Sequence, residues 1–532
     1  MSIAAPGSHG LTDRQPPYRL LGAFAAILAW ELAARMLAGS YLLAGPLDVA
    51  AHLAANAGLL ARALAVTAQA AAIGFVLGNL AAVALALVSL LVPRAERLVD
   101  AVALVCFCLP LVATGPILRV VSGPGEVPQV VLAALAVYYT TYLTLMVGLR
   151  AAPAGWFDLV RSYGRGPLTE LVRVRARAAL PYFVAGLQIA APAAFLGAMV
   201  GEFTGAERGL GVLAIQAMRG LEVEATWAIA TVASAVSILA YWALGALGRG
   251  LGAAPPPSLL APPPQVRPPR PLRTSLKALA LVLATVALIL AAWTGAMDLL
   301  DLNRYFAKRP ADVWAFLVSG ADAAANRAVL LEALGETMIY VVPGYLLGLA
   351  LGAAVAALVL AFPVASSVAM PVAIALRSVP IVTTAPLIVL ALGRGAAGTV
   401  TIVAVMIFFP TLVACLQGMR QTPGQVLDVF DSYAAGRWNR LAHAQVPSML
   451  PAFFASARIA VPAAILAVTT AEWLATGTGI GALMALTAST SAYAMLWSSI
   501  VVIAAVSAIL YAAVGAVERV VLSRYAAEQL RR

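Results

Sequence analysis

Uncharged or nearly uncharged runs, each about as long as a bilayer is thick, recur along almost the whole chain. A hydrocarbon core of about 30 Å takes roughly 20 residues of helix. Inside lipid the backbone must satisfy its own hydrogen bonds, so such runs fold as helices. Six occur at 20–39, 64–92, 101–121, 130–149, 182–201 and 225–248. Six more follow at 278–297, 337–364, 365–392, 395–419, 452–471 and 492–517. The expected fold is an all-α membrane protein with twelve transmembrane helices in two sets of six.

The remaining charge supports this reading. Only 11% of residues are charged, against about one quarter in soluble domains. The net charge of +11 does not indicate nucleic acid, because the basic residues cluster between apolar runs, as a positive-inside bias requires. Two basic segments mark one side of the membrane as cytoplasmic. One is 150–181, with Arg161, Arg165, Arg173, Arg175 and Arg177; the other is 249–277, with five basic residues, no acid and three proline clusters. Proline-rich sequence of this kind is an extended spacer.

The expected organisation is a cytoplasmic tail (1–17), a first six-helix domain (18–249), a cytoplasmic linker (250–273), a second domain (274–520) and a cytoplasmic tail (521–532). The first run lacks a small-residue cleavage site and reads as a retained helix. Both termini then lie in the cytoplasm. Six helices return the chain to its starting side, so the two domains share one orientation.

The two sets are copies. Adding 270 takes Thr67 to Thr337, Gly74 and Gly78 to Gly344 and Gly348, Pro110 to Pro380, and Asp158 to Asp428. The same offset takes Ser162-Tyr163 to Ser432-Tyr433, Glu202 to Glu472, and Gly209 and Gly211 to Gly479 and Gly481. Upstream, Pro46-x-Asp48-Val49 matches Pro310-x-Asp312-Val313 at an offset of 264, so a short indel intervenes. The glycine pairs spaced by four let helix backbones approach closely.

Between the fourth and fifth runs of each copy lies a loop reading Asp158-Leu-Val-Arg-Ser162-Tyr163-Gly164 in the first and Asp428-Val-Phe-Asp-Ser432-Tyr433-Ala434 in the second. It resembles the Glu-Ala-Ala loop of bacterial ATP-binding-cassette importer permeases. Trp30-Glu31, Gly201-Glu202-Phe203 and Gly209-Leu210-Gly211 further resemble the nitrate, sulfonate and taurine permeases of that class. The likeness covers both halves, which would be two fused permease domains. It implies an inner-membrane subunit of a bacterial importer. Two cytoplasmic ATPase subunits would dock at Asp158, Ser162, Tyr163, Gly164 and at Asp428, Ser432, Tyr433, Ala434. An extracytoplasmic binding protein would deliver a small, anionic solute.

The resemblance is imperfect. Asp replaces the opening Glu, the alanines are replaced by Leu159-Val160 and Val429-Phe430, and the glycine of the first copy is Ala434 in the second. The loops are expected as short helices over 158–169 and 428–439, each opened by its acid against the helix dipole.

No catalytic site of the chain's own is visible. A phosphate-binding loop needs Gly-Lys followed by Ser or Thr, and neither Lys277 nor Lys308 follows a glycine. ATP would therefore be used by the partner subunits, and the chain itself is expected to bind no cofactor. Cys106, Cys108 and Cys415 lie in apolar runs and His9, His52 and His443 are scattered, so no metal site is expected.

Three charged residues are candidates for the solute pathway. Arg377 lies about eleven residues into its run and is either salt-bridged or snorkelling, or else a contact for an anion. Glu202 and Glu472 close the fifth helix of each copy, either as pathway acids or as terminal acids reaching water. Arg458 is expected to snorkel to the inner face. Alternatives to the importer reading are a fused ferric-iron or thiamine-type permease, an ion-gradient-driven carrier with no ATPase, and a structural scaffold.

Overall fold

A computed structural model describes residues 18–37, 43–123, 125–252, 273–362, 385, 388–389, 391–393 and 395–525. Described residues of the first half form α1 (Tyr18–Met36), α2 (Pro46–Ala55), α3 (Ala57–Leu91), α4 (Glu96–Phe107), α5 (Leu111–Ser122), α6 (Val127–Arg150), α7 (Ala154–Ser162), α8 (Ala176–Phe203), α9 (Leu210–Arg219) and α10 (Val223–Gly250). The second half continues with α11 (Arg273–Leu299), α12 (Pro310–Trp314), α13 (Ala323–Ala361), α14 (Ala396–Arg420), α15 (Gly424–Ser432), α16 (Val446–Ala471), α17 (Gly479–Ser489) and α18 (Tyr493–Tyr525). Among the described residues there is no strand.

Nine helical stretches among these residues are long and apolar enough to cross a membrane, and α4 with α5 makes a bent tenth. Helix α1 occupies the first expected run. Most of the expected run 365–392, with Arg377, lies outside the described residues. So do the N-terminal tail, residues 526–532 of the C-terminal tail and most of the linker.

Lipid is as apolar as leucine, so helices in it select neighbours by close approach rather than by a polar and an apolar face. Helix α3 exposes Ile73, Val76, Leu77 and Leu80 outward and turns its small residues to α6. A Cβ on Gly74 would lie 2.6 Å from the Val130 carbonyl oxygen, and one on Gly78 would lie 2.6 Å from that of Ala134. Gly348 of α13 meets the Ala404 carbonyl of α14 in the same way, at 2.8 Å. The glycine spacing read from the sequence thus sets the backbone contact in both copies.

One expected span is not continuous. The run 101–121 breaks at Cys108-Leu109-Pro110, where α4 and α5 meet at 89°. Pro110 has no N–H to carry the ladder onward and disfavours a helical Leu109.

The halves share one core. Val112, Ala113 and Ile117 of α5 belong to the same buried cluster as Ala457, Val461, Ala464 and Ile465 of α16. Helix α11, which opens the second half, packs on α4 of the first. A tryptophan pair recurs as well: Trp30 sits 5.8 Å from Trp227, and Trp293 stacks on Trp497 at 5.0 Å.

Candidate functional site

The loops resembling coupling loops are helical in both halves, in a frame four residues earlier than expected. Helices α7 and α15 run over Ala154–Ser162 and Gly424–Ser432, and neither has an acid in its first turn. Asp158 and Asp428 are therefore mid-helix residues, which corrects their expected role against the dipole. The helices start after Pro153 and Pro423, whose fixed φ suits an N-terminus better than an interior. The expected downstream part is separate: Pro167–Thr169 and Arg437–Arg440 are single turns that lead through π-type turns, Glu170–Arg175 and Leu441–Gln445, into α8 and α16.

Both loop helices end in one way. Arg165 N–H donates to the Val160 carbonyl and Gly164 N–H to that of Arg161; Ala435 and Ala434 repeat this with Phe430 and Asp431. This closure needs a left-handed residue. Gly164 supplies it at φ +66°, and Ala434 adopts it at φ +48° despite its Cβ. Ser162 and Ser432 turn their hydroxyls back onto the Leu159 and Val429 carbonyls, at 2.8 and 2.7 Å. Beside its charged side chains each loop presents large apolar ones outward: Tyr163 is 74% exposed, Tyr433 is 82% exposed, and Leu159 and Val429 stand beside them. Large exposed apolar side chains grouped on a loop are the kind of surface that a partner protein can cover.

Glu202 and Glu472 do not reach water; they are 2% and 1% exposed. Thr67 Oγ1 donates to Glu202 Oε1 at 2.6 Å and accepts the Leu210 N–H at 2.8 Å, while Gly211 N–H donates to Glu202 Oε2 at 2.6 Å. The second copy repeats the arrangement: Thr337 Oγ1 donates to Glu472 Oε2 at 3.0 Å, accepts Ile480 N–H at 2.9 Å, and Gly481 N–H donates to Glu472 Oε2 at 2.8 Å. Each carboxylate and the threonine bonded to it share the N–H groups that open α9 or α17, where the helix dipole favours negative charge.

The Gly-x-Gly motif is the steric counterpart of this acid. A Cβ on Gly209, at φ +130°, would lie 2.2 Å from the Glu202 carboxyl carbon, and one on Gly479 would lie 2.2 Å from Glu472 Oε1. The second copy adds Glu336, which accepts the Gly479 N–H at 2.8 Å in the place of Val66. The threonines were missed as site residues. Their signal was a polar residue kept in an apolar run of both copies.

A cavity of about 470 Å³ lies between the halves. Arg97, Asp100, Tyr139, Tyr142 and Arg150 line it from the first half, Arg458 and Tyr511 from the second. Arg150 pairs with Glu96 at 2.7 Å, and Tyr142 donates to the Asp100 carboxylate. Arg458 pairs with Glu518 at 3.1 Å and lies over the Tyr511 ring. Arg97 has no ion-pair partner among the described residues. Sequence reasoning could not find this group, because its members lie on α4, α6, α16 and α18.

The cysteines pack as expected, Cys108 and Cys415 buried and Cys106 half-buried.

The sequence profile described as "Binding-protein-dependent transport system inner membrane component" matches the chain twice, over residues 61–253 and 344–526. The chain belongs to this family. The two matches fall on the two copies, so the chain is a fusion of two such components. A probable ABC transporter permease protein of Haemophilus influenzae is 33% identical over 162 residues, 30% of this chain and 66% of that protein. The riboflavin transport system permease protein of Chloroflexus aurantiacus is 26% identical over 148 residues, 28% of this chain and 55% of that protein. A putative aliphatic sulfonates transport permease protein of Escherichia coli is 28% identical over 152 residues, 29% of this chain and 55% of that protein. The chain spans between about half and two thirds of the length of these three relatives.

Proposed function

We propose that the chain is the whole membrane-spanning part of an ATP-driven importer, both permease domains supplied by one polypeptide in the bacterial inner membrane. The observation that carries this is the loop helix that recurs in both halves, with the same closure and the same exposed tyrosine. Two cytoplasmic ATPase subunits cover α7 and α15, and both termini lie on that side. A binding protein delivers solute from the other side, and lipid surrounds the apolar belt. The chain binds no cofactor and hydrolyses nothing; ATP is used by its partners. Solute moves because the ATPases bind the two permease conformations with different affinity.

The solute is a small anion of the nitrate, sulfonate or taurine kind. The guanidinium groups around the inter-half cavity support this reading, and Arg377 is the proposed further contact. An arginine fork pairs with sulfonate, nitrate or carboxylate through two parallel hydrogen bonds. The riboflavin and sulfonate relatives bracket a wider range, and three tyrosines in the lining suit a planar ring equally well.

The test is purification from the native membrane with mass spectrometry of copurifying chains, then uptake of taurine, nitrate, an alkanesulfonate and riboflavin into proteoliposomes. An ABC ATPase that copurifies, with ATP-dependent uptake lost in Arg377→Gln, is the expected result. Uptake driven by an ion gradient without any ATPase overturns the reading.

A further inference from the structure

The two loops are built alike, but one ion pair within them is reversed in sign. At the offset of 270, Arg161 aligns with Asp431 and Glu170 with Arg440. Both alignments are ion pairs. Arg161 Nε meets Glu170 Oε1 at 2.9 Å, and Arg440 meets the Asp431 carboxylate. The pair survives in the second copy with both signs reversed. Reversing one partner alone would set two like charges against each other.

The position of the pair explains what it does. Arg161 and Asp431 lie in the last turn of α7 and α15, while Glu170 opens the π-type turn entering α8 and Arg440 immediately precedes the one entering α16. Between them runs the left-handed residue, Gly164 or Ala434, followed by Gly166 or Gly436. Those are the bonds at which the loop helix would swing freely relative to the next span. The ion pair closes that segment across its open side. In the first copy a second tie exists, Arg175 lying 4.7 Å from the Phe157 ring; in the second, Arg437 lies instead over Phe362, just past the end of α13. Helix α15 thus depends more on its pair than α7 does.

We propose that Arg161–Glu170 and Asp431–Arg440 are positioning pairs that brace each loop helix to the span it must move, and that function requires the pair and not its sign. This rests on the reading of α7 and α15 as ATPase-docking helices. A partner groove reading one sign would repel the other copy, whereas a brace within the loop is indifferent to which end is positive.

The test is hydrogen–deuterium exchange on the full chain in nanodiscs, alone and with copurified ATPase under ATP and vanadate. In Arg161→Glu, exchange of residues 163–169 rises by about fivefold, the factor an exposed ion pair supports. The nucleotide-dependent change in α8 is lost while the ATPase still binds. The double variant Arg161→Glu, Glu170→Arg, which copies the second loop's polarity, recovers both signals. Asp431→Arg alone gives the larger defect. Unchanged exchange in Arg161→Glu, or a double variant as defective as the single one, overturns the proposal. If no ATPase copurifies with the wild-type chain, the docking reading fails, and exchange of the chain alone still decides whether the pair braces the loop.

Discussion

Replacing Thr67 with valine tests the buried acid network with almost no change of shape. The hydroxyl links two chain segments far apart in sequence, donating to Glu202 Oε1 at 2.6 Å and accepting Leu210 N–H at 2.8 Å. Valine keeps the volume and removes both bonds, leaving a buried N–H without an acceptor and a carboxylate oxygen without a donor. Each unsatisfied buried group costs about 1–3 kcal/mol. Relaxation recovers part of that, so a net local loss of about 2–3 kcal/mol is the reasonable sum. Spread over the opening equilibrium of the α9 N-terminus, this raises amide exchange at residues 210–213 by roughly 30- to 150-fold. The equivalent amides of α17, residues 480–483, are held by a separate copy of the network and do not change. Thr337→Val shows the converse, and the double variant adds both effects because the sites share no partner. Thr67→Ser, which keeps the hydroxyl, stays near wild type. If Thr67→Val and Thr67→Ser exchange alike, the hydroxyl does not hold the helix and the reading of Glu202 as its cap is wrong.

Two further outcomes follow from the loops. Gly164→Ala, with free space around the new Cβ but φ +66°, destabilises the first loop by about 1 kcal/mol, and Ala434→Gly stabilises the second by a similar amount; limited proteolysis between residues 163 and 166, or 433 and 436, reads both signs. In the α11–α12 connection, bonds from Arg304 are the main cause holding the Asp312 carboxyl below its usual range, so the closure contributes stability above the ordinary aspartate pKa and loses it as pH falls through the lowered one. Exchange of residues 302–312 should rise as pH is lowered into that acid window, and Asp312→Asn should remove the pH dependence.

Much of the fold was legible in the sequence, for a physical reason. Lipid admits only helices and closed barrels, and barrel strands are short and alternating, so the long unbroken apolar runs had to be helices and their lengths placed the spans. The repeat at one offset declared two domains, and glycines four apart marked the α3–α6 and α13–α14 contacts. The paired loops were legible because a polar segment between two spans recurs in both copies with the same Asp and Ser-Tyr spacing.

Tertiary structure alone decided the rest. Sequence spacing placed Glu202 and Glu472 at helix ends, where an acid can reach water or cap a neighbour with equal local logic. Only the return of α9 and α17 over Thr67 and Thr337 removed the water and turned the carboxylates inward. Periodicity could not foresee the 89° break at Pro110, since a proline in a membrane helix is tolerated or breaking according to its neighbours. Nor could it bring Arg97, Tyr142, Arg458 and Tyr511 to one cavity, because those side chains meet only when the two halves pack. Local rules act over one or two turns of helix; a site made between copies of a domain depends on the distance between helices, which no run of residues encodes by itself.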